Sequence, residues 1–81
     1  MDDLIASSRN KIVGTKQTIK ALENGEVQKV FIAKDAEKKI IRPIITLCET
    51  NNIELQYVES MQQLGKLCGI KVKAAAAAIK E

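Results

Sequence analysis

Apolar residues recur along the chain at two spacings, and each spacing predicts one kind of element. A spacing of three to four residues predicts four helices, at residues 4–10, 15–24, about 43–51, and after a capping Ser60. Ile19 and Leu22 are expected to face the core. A run of β-branched residues predicts a strand over residues 27–33, and alternation predicts another over residues 53–58. This order indicates an α/β sandwich with helices on both sides of a small sheet.

The helix that ends near residue 51 carries apolar residues at helical spacing, namely Ile40, Ile41, Ile44, Ile45 and Cys48. Pro43 fits best in its first turn, because a proline has no N–H group and the first turn needs none. We therefore expect the regular helix to begin close to Pro43, after a polar break over residues 34–37. Asn51 and Asn52 are expected to end it.

The segment GTKQTIK, residues 14–20, joins an extended apolar pair to the start of the second helix. We predict Thr15 as the N-cap, because its hydroxyl is able to accept a hydrogen bond from a first-turn N–H group. Lys16 and Lys20 then share one helix face, with Gln17 on the adjoining edge. Two cations and an amide at a helix start, where the dipole favours anions, are typical of nucleic-acid binding. The alternative is an ordinary surface helix whose lysines are solvated.

For the five consecutive alanines at residues 74–78, helix propensity and the surrounding sequence pattern predict different elements. Alanine strongly favours helix. The preceding Ile70-Lys71-Val72 is extended in character, and small residues also suit a strand packed closely between helices. Local reasoning alone predicts a helix over residues 74–81.

Composition predicts one small folded domain covering residues 1–81. The 81 residues are 46% hydrophobic and 28% charged, which is the balance of a folded chain and not of a disordered one. No apolar run reaches the length of a membrane span, and the start, Met1-Asp2-Asp3, has no signal-peptide pattern. We therefore expect a cytoplasmic protein.

The chain has few residues suited to catalysis or metal binding. There is no histidine, and Cys48 and Cys68 lie far apart, so zinc spacing is absent and neither thiol has a base to activate it. Paired carboxylates and a phosphate-cradling glycine loop are also absent. We expect two buried, unpaired cysteines, no cofactor or metal, and no enzymatic activity.

The net charge of +3 is modest, but the charges are unevenly distributed. Every charge between residues 3 and 23 is positive, and so is every charge between residues 59 and 81, while most acids lie in the middle. The two basic segments form one patch if the fold brings them together. The only aromatic residues, Phe31 and Tyr57, lie outside both segments, which argues against a protein that stacks single-stranded bases on rings.

Four segments, GTKQTIK, ALENGEV, VFIAKDA and LGKLCGIKVKAAAAAI, occur in an order and at separations that resemble the kink-turn RNA-binding family of ribosomal protein L7Ae. The likeness begins at about Ala6 and is strongest to the short, YbxF-like bacterial members. It implies a three-layer α-β-α sandwich with a small mixed four-stranded sheet. It also implies a strand over residues 74–79, in place of the helix that propensity favours.

Members of this family bind a kinked RNA duplex whose bulge is flanked by tandem sheared G·A pairs. A kink opens the A-form major groove, which is otherwise too narrow for side chains. The resemblance implies that Lys16 and Lys20 donate to guanine O6 or N7 and that Gln17 accepts from a guanine N–H, beside Gly14 and Thr15. The family typically has asparagine and glutamate at the positions of Lys16 and Gln17, so the Gln17 hydrogen bond lacks charge assistance.

The second half of the implied site is the loop in LGKLCGIKV. In the family this loop packs apolar side chains against nucleotides thrown out of the bulge, a role that falls to Ile70 and Val72. Lys71 replaces a commonly acidic residue, and we expect it to contact phosphate together with Lys73. The alternative places Ile70 and Val72 in the core, although the flanking lysines favour an exposed Val72.

The expected partner is a structured RNA that contains a kink-turn: ribosomal RNA, a riboswitch or another noncoding RNA. We expect a monomer that is associated with the ribosome. The competing interpretation is a protein-protein interaction module on the same fold, without RNA binding. Helix-turn-helix recognition of DNA is disfavoured by the two predicted strands.

Overall fold

Four strands and three helices make up the part of the chain that the structure, a computed structural model, describes, which is residues 10–80. In chain order they are β1 (Lys11–Val13), α1 (Thr15–Glu23), β2 (Val27–Ala33), α2 (Lys38–Asn51), β3 (Glu54–Val58), α3 (Met61–Leu67) and β4 (Ala76–Lys80). The helix predicted for residues 4–10 falls on residues 4–9, outside the described part, and on Asn10, which lies in a turn. None of the helices within residues 10–80 is long and apolar enough to cross a membrane.

The four strands form one mixed sheet in the order β1-β4-β2-β3. Strand β4 runs antiparallel to both of its neighbours, whereas β2 and β3 are parallel. Helices α1 and α2 pack against each other, and α3 packs against β2, β3 and β4. This is the three-layer α-β-α sandwich that the resemblance implied. Because β1, β2 and β3 point the same way, α1, α2 and α3 all begin at the same end of the sheet.

The alanine run forms the central strand β4, so the helix that local propensity predicted there is wrong. Ala76, Ala77 and Ala78 are fully buried. They are paired on both sides, since Ala78 lies opposite Ile12 in β1 and Val30 in β2. Two ladders of backbone hydrogen bonds and two covering helix layers outweigh the intrinsic helix preference of alanine, which is worth only about 0.7 kcal/mol per residue. The strand begins two residues later than the resemblance implied.

Helix α2 begins at Lys38, so Pro43 lies in the second turn and not in the first as predicted. Helical hydrogen bonds start earlier because the Glu37 carbonyl accepts from the N–H groups of Ile40 and Ile41, at 3.0 and 3.2 Å. The exposed proline removes one bond of the ladder without breaking the helix. Asn52 ends the helix in the left-handed conformation, with a φ of 56°, as the sequence predicted.

The core confirms most of the predicted inward-facing residues. Leu22 is buried, whereas Ile19 is only half-buried, and the fully buried Thr18 takes a core position that the pattern did not indicate. Cys48 and Cys68 are both buried and unpaired, as predicted. Burial raises the pKa of the Cys48 thiol to about 11, and burial likewise raises the pKa of Cys68. Both thiols are therefore protonated packing residues at neutral pH.

Candidate nucleic-acid interface

The N-cap of α1 is Gly14, and the prediction that Thr15 caps this helix is wrong. Gly14 has a φ of 107°, which a residue without a Cβ adopts at no steric cost. The chain therefore turns at Gly14, and its carbonyl already accepts the first helical bond from the Thr18 N–H, at 3.0 Å. The Thr18 hydroxyl also donates to this carbonyl, at 2.7 Å. Thr15 is thus the first helical residue and its side chain forms no cap.

The start of α1 consequently keeps unsatisfied donors. Within residues 10–80, the N–H groups of Thr15, Lys16 and Gln17 have no acceptor. The side chains of Lys16, Gln17 and Lys20 are exposed beside them. No acid lies in the first turn to neutralise the positive end of the helix dipole. This arrangement favours an anionic or acceptor-rich ligand.

The two predicted halves of the site meet at one end of the sheet. Strands β1 and β4 are antiparallel, with Val13 opposite Ala77, so the end of β1 lies beside the start of β4. The Gly14 N–H donates to the Ala76 carbonyl, at 2.9 Å, and fixes the two chain segments to each other. Sheet pairing therefore places the start of α1 next to the loop that leads into β4, although the two are more than 50 residues apart in sequence.

The loop between α3 and β4, residues 68–75, folds back along α3. Gly69 has a φ of 77°, and the N–H groups of Gly69 and Ile70 donate to the carbonyls of Lys66 and Gly65 in a Schellman motif. Further on, the Val72 carbonyl lies where a Cβ on Gly65 would be, and the Val72 carbonyl carbon is 3.1 Å from that position. The Ala74 N–H finally reaches the Met61 carbonyl, at 3.1 Å. The loop is held by backbone contacts along its whole length.

This path orients the loop's side chains as the sequence suggested. Val72 is 69% exposed, in agreement with the prediction, and Lys71 and Lys73 are exposed on either side of it. Ile70 is half-buried and packs against the core, so the core alternative considered for it holds in part. An open groove is lined by the loop together with two residues of α3: Gln62, Lys66, Ile70, Lys71, Val72 and Lys73.

The lysines of the candidate site differ from those elsewhere in their pairing. Lys29, Lys34 and Lys80 form ion pairs with Glu54, Glu59 and Glu26 at 3.1, 3.3 and 2.9 Å. The hydrogen bond and charge of Lys80 lower the pKa of Glu26. Among residues 10–80, by contrast, no acid pairs with the site lysines, which are Lys16, Lys20, Lys66, Lys71 and Lys73. Their charge faces solvent and is available to an anionic partner.

The sequence profile of the Ribosomal protein L7Ae/L30e/S12e/Gadd45 family matches residues 3–81. The chain belongs to this family.

Individual relatives confirm the likeness to the YbxF-like members. RNA-binding protein BH0128 of Halalkalibacterium halodurans is 44% identical over 77 residues, covering 95% of this chain and 94% of that protein. RNA-binding protein YbxF of Geobacillus stearothermophilus is 46% identical over 68 residues, covering 84% of this chain and 83% of that protein. The solved 15.5kD RNA binding protein of Giardia lamblia has a TM-score of 0.89 at 25% identity, over 99% of this chain and 68% of that one. The names of all three describe RNA binding and none describes an enzyme.

Sequence reasoning missed several residues that build the interface of this family member. Gln62 and Lys66 line the groove, and their spacing of four on one helix face was the signal for them. Asp35 accepts a hydrogen bond from the Met61 N–H at 2.8 Å, and Lys11 donates to the Cys68 carbonyl at 2.7 Å. No local signal predicts these last two contacts, because each joins residues far apart in sequence.

Proposed function

We propose that this protein binds structured RNA and recognises kink-turns, in which tandem sheared G·A pairs flank a bulge. One observation carries the proposal: the start of α1 and the loop before β4 lie side by side, joined by the Gly14–Ala76 hydrogen bond, and both expose lysines that form no ion pair within residues 10–80. Family membership and relatives named as RNA-binding proteins support it. Ribosomal RNA, riboswitch leaders and other noncoding RNAs are all possible targets, bound by a monomer in the cytoplasm.

The start of α1 supplies the contacts to bases. Lys16 and Lys20 donate to the O6 and N7 atoms of the guanines in the sheared pairs, and Gln17 accepts from a guanine N–H. All three side chains are exposed on one side of a helix start whose first three N–H groups have no acceptor within residues 10–80. The surface at Gly14 is open, since no atom of residues 10–80 lies within 4 Å of where a Cβ would be.

The loop before β4 supplies the remaining contacts. Val72 and the partly exposed Ile70 cover nucleotides extruded from the bulge. These nucleotides offer the exposed Val72 side chain an apolar surface to contact. Lys71 and Lys73 contact phosphates. Base contacts specify a sequence or structure, whereas phosphate contacts position the protein without selecting it. The two halves of the site should therefore respond differently to substitution.

Binding titrations at several salt concentrations test this division, with a kink-turn RNA and a control duplex whose G·A pairs are replaced by Watson–Crick pairs. Gln17→Ala should weaken kink-turn binding by roughly 1–3 kcal/mol and leave the control nearly unchanged, as expected for one good base contact. Equal weakening toward both RNAs would show that the start of α1 only clamps phosphates. Wild-type binding that does not distinguish the two RNAs would refute kink-turn recognition itself.

Lys71→Ala combined with Lys73→Ala is the matching test for the loop. This double variant should weaken both RNAs alike and flatten the salt dependence by about one charge per lysine. A suitable control is Lys29→Ala, because Lys29 forms an ion pair with Glu54 and is not among the residues of the interface. Lys29→Ala should leave the salt dependence unchanged. A selective loss of kink-turn binding in the double variant would instead assign base recognition to the loop.

A further inference from the structure

Within residues 10–80, the C-terminus of α3 leaves two backbone acceptors unused by the helix and its cap, the carbonyls of Leu67 and Cys68. The Schellman motif satisfies the carbonyls of Gly65 and Lys66. The carbonyl of Cys68, the C-cap residue, receives no backbone N–H within residues 10–80. It lies immediately before Gly69, where the chain enters the loop of the proposed RNA site. A group that binds this carbonyl therefore adds a contact at the point where the loop begins.

The donor to this carbonyl comes from the other half of the site. Lys11, in β1, donates from Nζ to the Cys68 oxygen at 2.7 Å, across 57 residues of sequence. Lys11 is half-buried, unlike Lys16, Lys20, Lys71 and Lys73, which are exposed. A cation at the C-terminal end of a helix interacts favourably with its dipole, and a charged donor forms a strong hydrogen bond. This lysine is therefore directed at the protein and not at the solvent.

We propose that Lys11 is a positioning residue that holds the loop before β4 against the strand leading into α1, and so couples the two halves of the RNA site. The proposal rests on the proposed function for its consequence in binding. Lys11 does not touch RNA. It acts by keeping Ile70, Lys71 and Val72 in the arrangement that binds.

Lys11 acts on RNA binding by changing the fraction of the protein whose loop before β4 has the binding-competent arrangement. The Gly14–Ala76 bond ties the two segments at the far end of the loop, and Lys11 ties them at its beginning. Removal of the Lys11 ammonium leaves the Cys68 carbonyl without its donor and frees the first residues of the loop to move. If the binding-competent arrangement is then populated only fractionally, the apparent Kd rises by the inverse of that fraction.

The binding test compares Lys11→Met with Lys11→Arg on the kink-turn RNA, over a series of salt concentrations. Lys11→Met should raise Kd roughly tenfold without changing the slope of binding against salt, because no phosphate contact is lost. Lys11→Arg keeps a charged donor and should bind within about threefold of wild type. Lys71→Met is the control for a residue that contacts phosphate, and it should lower the slope by about one. A slope lowered by Lys11→Met, unchanged affinity, or an arginine variant as weak as the methionine variant would each overturn the proposal.

A measurement on the free protein separates this proposal from kink-turn recognition. Amide hydrogen exchange should accelerate in Lys11→Met at Gly69 and Ile70, whose N–H groups form the Schellman bonds, by roughly tenfold relative to amides of β2. Lys11→Gln serves in its place if the methionine variant does not fold. Unchanged exchange at these two amides would refute the positioning role, whether or not the protein recognises kink-turns. Faster exchange in a protein that fails to bind kink-turns would refute only the proposed function.

Discussion

The starts of α1 and α3 lie at the same end of the sheet but are completed in opposite ways. At α3, the Ser60 hydroxyl accepts from the Gln63 N–H at 3.1 Å, and the Asp35 carboxylate accepts from the Met61 N–H at 2.8 Å. At α1, the N-cap is Gly14, which has no side chain to offer. One helix start is closed by two side chains of the protein, and the other is left open.

Under the proposed function, this difference divides stability and binding between neighbouring elements. A side-chain cap stabilises a helix by about 1 kcal/mol relative to alanine but by only a few tenths of a kcal/mol relative to glycine, so the fold forgoes little stability at α1. Local rules are most often broken at functional sites, where the missing interaction is supplied by a ligand. At α3, the two caps instead stabilise a short helix that leads directly into the loop before β4. We therefore expect substitutions at α3 to act mainly on stability and those at α1 mainly on binding.

Gly65→Ala should have the largest effect on the α3 side. The new Cβ would overlap the Val72 carbonyl, which is backbone and cannot rotate away, so the loop must shift. Such overpacking should reduce the free energy of unfolding by about 2 kcal/mol, more than the helix propensity of alanine returns. Thermal or urea unfolding measures the loss. The control, Gln63→Ala, lies two residues earlier on the exposed face and should change stability by less than about 0.5 kcal/mol.

Ser60→Ala and Thr15→Ala test whether the two helix starts differ as described. Ser60→Ala removes a cap and should lower the free energy of unfolding by about 1 kcal/mol. Thr15→Ala removes no cap, because Thr15 is already helical, and should change it by less than about 0.5 kcal/mol. Urea unfolding of both variants provides the comparison. Equal losses would mean that the Thr15 hydroxyl caps α1 in solution, as the sequence alone suggested.

The sequence predicts most of this fold because its signals are local. The spacing of apolar residues in α2, the left-handed Asn52 and the Ser60 cap are each determined within a few residues. Ala76–Lys80 marks the limit of such reasoning, since its strand conformation depends on pairing with β1 and β2. Only the resemblance to a family predicted that strand.

The candidate site was predicted as a set of residues but not as a geometry. The choice between Gly14 and Thr15 as N-cap depends on one backbone angle, to which the pattern of apolar residues is insensitive. Lys11 appeared only as one charge in a basic segment, although it bonds to Cys68 across the fold. The bond from Met61 to Asp35 is equally non-local. Contacts of this kind follow from tertiary packing, which periodicity and propensity do not encode.

Thr15→Asp should have only a small effect on stability and separates the two helix starts most directly. A carboxylate in the first turn of α1 interacts favourably with the dipole and should raise the free energy of unfolding by ~0.3–1 kcal/mol. The same charge repels RNA and should weaken kink-turn binding by on the order of 1 kcal/mol, or about fivefold in Kd. The control is Gln63→Glu, which makes the same change in net charge at the start of α3 and keeps the capping-box pattern with Ser60, where both residue types fit. Gln63→Glu should also stabilise the protein, but it should weaken binding much less, because α3 already has its caps and Gln63 does not line the groove. Equal weakening by both variants would show that overall charge, and not the open start of α1, determines RNA binding.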